Sequence, residues 1–103
     1  MSSFFEVVMS DHVHVIRLPN RFDFSQHKMF SQQTEQALAM PALQQLQIDF
    51  SQVQYLDSSA LGMLVLLAKK AQNKSVKVSI TGAQGTAQEI LLMANIQKIY
   101  AMV

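Results

Sequence analysis

The spacing of hydrophobic positions changes several times along the chain, and each change marks an element. Phe4 to Met9 is rich in aromatic and β-branched residues, and Val13 and Val15 alternate with His12 and His14 before Ile16 and Leu18. Alternation with period two predicts two strands. Ser10-Asp11 between them reads as a tight turn, so the pair is expected to be an antiparallel hairpin, ended by Pro19-Asn20-Arg21. From Ser25, expected as N-cap, to about Met40 the spacing becomes helical, with Met29, Phe30, Ala37 and Leu38 on one face and Gln32, Glu35 and Gln36 on the other. Pro41 stops that helix. Leu46, Ile48 and Phe50 alternate with Gln47 and Asp49 as a third strand. A loop over 51–56 leads to a second helix from Ser58 to Gln72, closed by Asn73. Val76, Val78 and Ile80 form a fourth strand, and Gly82 and Gly85 frame a loop before a third helix with Ile90, Leu91 and Ala94 on one stripe. Lys98 to Val103 reads as a short fifth strand.

A hairpin followed by helix and strand in alternation predicts a mixed five-stranded α/β sheet, because parallel neighbours need a crossover such as a helix. The length of 103 residues predicts one domain over 1–103, and with half the residues hydrophobic it can bury a modest core. There is no cysteine, which excludes disulfides, thiolate zinc sites and cysteine nucleophiles. A formal net charge of +1 without a basic cluster leaves no electrostatic footprint for nucleic acid. The beginning Met1-Ser2-Ser3-Phe4-Phe5-Glu6 has no secretory pattern, and the longest apolar stretch, Met63 to Ala68, is too short to cross a bilayer. The expectation is a cytoplasmic protein with no membrane partner.

Tyr55-Leu56-Asp57-Ser58-Ser59-Ala60-Leu61-Gly62-Met63-Leu64 is the most unusual stretch, and it follows the carboxyl end of a strand, where ligands and regulatory groups collect in α/β sheets. Read plainly, Asp57 or Ser58 caps a helix. A capping box is missing, however, because Ala60 and Leu61 stand where Glu or Gln would, and two adjacent hydroxyls exceed what one cap needs. The helix is also apolar nearly all round. Leu61, Leu64, Val65 and Ala68 form one stripe, Ala60, Met63 and Leu67 a second, and Leu66 stands near the polar side. A wide core face accounts for part of this arc. The sharper expectation is that Met63 and Leu66 stay partly exposed as a partner surface beside the hydroxyls.

Ser58 shares a narrow polar strip with Gly62 and Lys69. A phosphate on Ser58 would sit at a helix N-terminus, which accepts negative charge, so modification need not unfold the domain. Asp57 is adjacent, and no Lys or Arg occurs from Asp49 to Ala68. An unpaired dianion beside an apolar patch opposes docking, so phosphorylation is expected to switch binding off.

These residues resemble the STAS domain, and within it the single-domain bacterial anti-sigma factor antagonists. The resemblance covers nearly the whole chain and is anchored on Leu56-Asp57-Ser58-Ser59-Ala60-Leu61-Gly62 after an Ile-Asp-Phe strand. It implies that Ser58 is the phosphoacceptor, with Asp57, Ser59 and Asp23 of Arg21-Phe22-Asp23-Phe24 as its neighbours; the helix start, with Ala60, Leu61, Gly62, Met63 and Leu66, is expected to meet the partner. That partner would be an anti-sigma factor that is also a serine kinase, sequestered by the unphosphorylated form so that a sigma factor is released; a serine phosphatase reverses the modification. Ala60 replaces the glycine of many members, which should stiffen the helix start. The chain also ends at the fifth strand without the terminal helix common in the family, which would leave sheet surface free for a weak homodimer.

Three other readings are weaker. A receiver-like phosphoaspartate switch would use Asp23, Asp57, Thr81 and Lys98, but the paired acids that Mg²⁺ needs at the end of the first strand are missing. A STAS fold can be a non-switched subunit of a transporter, as in some bacterial lipid-transport ATPase complexes, or of another signalling complex, binding regardless of Ser58. An enzyme is not expected. His12 and His14 could chelate a metal from one strand face, but no carboxylate is patterned with them or with His27, so neither metal nor cofactor is expected. Gly62, Gly82 and Gly85 lack the spacing of a phosphate loop, and nothing places a base beside Ser58 for nucleophilic catalysis. The seven methionines read mostly as gap-fillers, and Gln32-Gln33 and Gln44-Gln45 as solvated surface.

Overall fold

The computed structural model describes residues 12–103 and the backbone of Phe5–Val8. The opening segments form β1 (Phe5–Val8) and β2 (Val13–Arg17), antiparallel, with Phe5 opposite Arg17; the expected turn at Ser10-Asp11 and the strand ends at Phe4 and Met9 lie outside the described residues. Next come β3 (Arg21–Phe22), a 3-10 turn (Phe24–Gln26), α1 (His27–Leu38), β4 (Gln45–Asp49), β5 (Tyr55–Leu56) and α2 (Ser58–Asn73). β6 (Lys77–Thr81), α3 (Gly85–Met93), a second 3-10 turn (Ile96–Lys98) and β7 (Ala101–Met102) complete the chain.

The main sheet has the order β1-β2-β4-β6-β7, and every pair after the opening hairpin is parallel. This is the mixed five-stranded α/β sheet expected from the alternation. The strand order never reverses. With the right-handed connections that parallel strands take, three crossovers in one direction place α1, α2 and α3 on the same face of the sheet. The side chains agree. Ile16, Ile48 and Ile80 lie side by side across β2, β4 and β6 and are all buried, each contributing about 1.5–3 kcal/mol of burial. One position along, Arg17, Asp49 and Thr81 form a polar row on the opposite face, where Arg17 Nε donates to Asp49 Oδ2 at 2.9 Å. The division into an apolar row beneath the helices and a polar row opposite holds at these positions, while Val15, on the face of Arg17, is apolar and buried.

Several expectations are corrected. Ser25 does not cap the first helix. The Asp23 side chain accepts from the Ser25 N–H at 3.0 Å, while the Gln26 side chain accepts from the Asp23 N–H at 2.8 Å, a reciprocal capping box around the 3-10 turn. The charged acceptor two residues earlier outcompetes the hydroxyl. Met29 is exposed and Thr34 takes its place on the buried face of α1, its hydroxyl donating to the Phe30 carbonyl. Ala94 is exposed, and Ala87 with Leu91 holds α3 to the core. Asn73 is still the last residue of α2; Lys74 caps it, and Ser75 follows with a left-handed backbone. Of the tail, only Ala101–Met102 is strand, because Ile96–Lys98 coils first.

Candidate functional site

β3 and β5 are two residues each and escaped the periodicity, yet they build the site. They pair in parallel, Arg21 beside Tyr55 and Phe22 beside Leu56, and the buried Phe22 and Leu56 pin the ribbon to the core. The next residue on each side is an aspartate with extended backbone, Asp23 and Asp57, and each caps a helical segment. Two helical N-termini thus leave the ribbon from neighbouring positions. Asp57 accepts from the Ala60 N–H at 2.8 Å. No box closes around it because Ala60 has no side chain to return the bond.

With Asp57 as cap, Ser58 is the first residue of α2, and both Ser58 and Ser59 are exposed. Neither hydroxyl holds a hydrogen bond among the described residues. Gly62 and Lys69 are exposed as well, so the polar strip expected along this helix is present. Leu66, 49% exposed, lies on the surface, and Leu61 is partly covered. Two predicted contact residues are corrected: Ala60 and Met63 are buried and belong to the core beneath the helix. Val65, on the stripe with Leu61, Leu64 and Ala68, is 37% exposed beside Leu66. The arc around α2 is wider than the sheet and α1 can cover, and the excess emerges at Val65 and Leu66. A Cβ built on Gly62 meets nothing within 4 Å, so no contact inside the chain requires a glycine there.

The neighbourhood of Asp23 carries charge and exposed aromatics that the count along the sequence missed. Arg21 Nε donates to Asp23 Oδ2 at 2.9 Å, and its guanidinium lies 4.7 Å from the centre of the Tyr55 ring. Strand pairing therefore brings a cation beside a segment that has none of its own, but Asp23 already engages it. Hydrogen bonds from the Ser25 hydroxyl, from Arg21 and from the Ser25 N–H hold the Asp23 carboxyl below the usual carboxylate range. Phe24, 63% exposed, stacks on His27 with ring centres 5.4 Å apart.

The paired-histidine face is not formed. His14 is buried, whereas His12 precedes β2, is exposed, and its Nδ1 lies 3.0 Å from the Ala42 carbonyl. Among the described residues no three His, Cys, Asp or Glu side chains group to hold a metal. No helix among them is long and apolar enough to cross a membrane.

A sequence profile described as "Mlab, STAS domain" matches residues 5–103. A curated STAS-domain containing protein of Pseudomonas aeruginosa (strain UCBPP-PA14) is 32% identical over 85 residues, 82% of each chain. Among solved structures, the anti-sigma factor antagonist SpoIIAA in its unphosphorylated form superposes with a TM-score of 0.77 at 16% identity, covering 98% of this chain and 87% of that one. The phosphorylated form of SpoIIAA, a Bacillus cell fate determinant, gives 0.76 at 14% identity, with 98% and 91% covered. A sulfate transporter family protein from Wolinella succinogenes gives 0.75 at 12% identity, covering 89% of this chain and 73% of that one. At such identities the structures speak for the fold alone. The profile and the Pseudomonas relative reach further: this chain belongs to the STAS domain family.

Proposed function

We propose that the protein is a regulatory binding module whose partner docks on the exposed side of α2, and that phosphorylation of Ser58 turns docking off. The observation that carries this reading is the division of labour between Asp57 and Ser58. The carboxylate does the capping, which leaves the hydroxyl on the first residue of the helix exposed and unengaged. A phosphate there adds about −1.5 to −2 charges beside Asp57 and a short helical climb from Val65 and Leu66. Arg21 is held by Asp23, so the dianion lacks a ready cation and works against desolvation by a partner. Gly62, one turn on, lets a partner's backbone come close.

The resemblance to anti-sigma factor antagonists supplies the finer assignment. The partner is an anti-sigma factor with serine kinase activity, sequestered by the unphosphorylated form to free a sigma factor, and a serine phosphatase resets the switch in the cytoplasm. In this reading the protein is modified and catalyses nothing. That SpoIIAA, of the same fold, has been solved in both states supports a fold that tolerates the modification. A second reading, a STAS subunit bound permanently in a transporter or other complex, draws support from the same fold in the Wolinella transporter family protein.

Binding of the organism's own anti-sigma factor kinase to wild type, Ser58→Ala, Ser58→Asp and Ser59→Ala decides between them. The switch requires about tenfold or greater loss in Ser58→Asp alone. Equal binding by all four establishes the non-switched subunit.

A further inference from the structure

A groove of about 720 Å³ lies on α2 away from α1, and it shares only Val65 and Lys69 with the surface described above. It exists because β7 is short. β6 pairs with β4 along its whole length but with β7 only at Ser79 and Ile80, since Ile99 and Tyr100, which a longer strand would set beside Lys77 and Val78, donate their N–H groups back to the Ile96 carbonyl of the 3-10 turn. Val65 and Ala68 of α2, Val76 just before β6 and Val78 within it, and Ile99 and Ala101 of the tail make its apolar lining.

Three elements each border this groove with one lysine: Lys69 from α2, Lys98 from the 3-10 turn, and Lys77, which shares the face of Thr81 and meets the groove at the open edge of β6. All three are exposed, and no acidic side chain lines the groove. The volume falls within the range of small-molecule sites, in which an apolar lining supplies affinity and a few polar groups set orientation. A second copy fits poorly, because a two-fold contact across this surface would set three lysines against three.

We infer that the groove between α2, the start of β6 and the tail binds a small amphiphilic anion, with its apolar body on Val65, Val78 and Ile99 and its acidic group among Lys69, Lys77 and Lys98. Lysine stems can cover the edge of the apolar body while their ammonium groups meet the anion. The α2 lining begins at Val65, seven residues and about 10 Å along the helix beyond Ser58, so a charge on Ser58 should leave occupancy unchanged.

Laurate below its micellar concentration, titrated into the full chain and followed by amide chemical shifts, tests this. Shifts should centre on Val65, Val78, Ile99 and Ala101. Affinity should fall about tenfold or more from laurate to octanoate as methylenes are lost, and about tenfold in Lys77→Glu/Lys98→Glu, two exposed changes that leave the core intact. Ser58→Asp should bind laurate as wild type does. Equal binding of uncharged dodecanol, unchanged affinity in the double variant, or shifts centred on Phe24, Met29 or Met93 would each overturn the assignment.

Discussion

The Tyr100 hydroxyl donates a 2.6 Å hydrogen bond to the Leu64 carbonyl, in the first half of α2, from a ring only 3% exposed. Tyr100 sits directly before β7 and Leu64 six residues into α2, so one buried bond ties the tail to the helix that carries Ser58. Burial pushes the Tyr100 hydroxyl well above the ordinary tyrosine value. Tyr100→Phe keeps the ring but loses the bond, and should cost about 1 kcal/mol, read as a lower urea midpoint. Because the folded chain resists ionisation, wild type should also lose stability as pH rises above about 10, where the unfolded tyrosine ionises. The Phe variant should lack this contribution to the alkaline slope.

Gly62→Ala should separate folding from docking. A glycine in mid-helix costs about 0.5–1 kcal/mol against alanine, and the added methyl meets no atom within 4 Å. Stability should therefore rise by about that amount in chemical denaturation. On the proposed docking surface the same methyl stands between partner and backbone, so affinity for the anti-sigma factor kinase should fall. A variant more stable and equally tight in binding would remove Gly62 from the interface.

The elements that follow a period were legible in advance, and those fixed by pairing across the chain were not. Leu46, Ile48 and Phe50 announce β4 by alternation, and Asp57 announces the start of α2 by its side-chain chemistry. β3 and β5 have two residues each, too few to show any period, and they form because Phe22 and Leu56 find one another in the core. Their pairing is what brings Arg21 to Tyr55 and sets Asp23 level with Asp57. Met63, expected at the surface, is buried for a related reason. An apolar arc shows how much of a helix is hydrophobic, while the side left uncovered depends on where α1 and the short β7 happen to end.

Acid should weaken the fold through Asp49 and Asp23. Burial of Asp49 works against its ionisation, but the Ser51 N–H at 2.8 Å, the Ser51 hydroxyl and the Arg17 guanidinium outweigh it and hold the carboxyl below the usual range. Asp23 is lowered by Ser25 and Arg21. A carboxyl whose folded pKa is depressed stabilises the fold above its unfolded value, and that contribution disappears as pH falls through the folded value. Stability should thus be level near neutrality and decline below about pH 4. Asp49→Asn should be the weaker protein at pH 7 and show a shallower acid limb, measured by urea midpoints across the pH range.

Two residues share a left-handed backbone and should respond to substitution in opposite directions. Ser75, with φ of 59°, follows the cap of α2: its N–H donates to the Gln72 carbonyl at 3.1 Å, and the Val76 N–H reaches back to Ala71 at 2.9 Å. This is the helix-ending geometry that glycine favours, and a Cβ there is strained. Ser75→Gly relieves that strain against a smaller entropy loss, and should stabilise by about 0.5–1 kcal/mol. Gly82, with φ of 72°, is already glycine, and a Cβ would lie 3.1 Å from Ser51 Cβ and 3.2 Å from its backbone. Gly82→Ala adds a steric clash to the dihedral cost, and should destabilise by more than about 1 kcal/mol. If thermal melts moved both variants the same way, left-handed strain would not be what distinguishes these two turns.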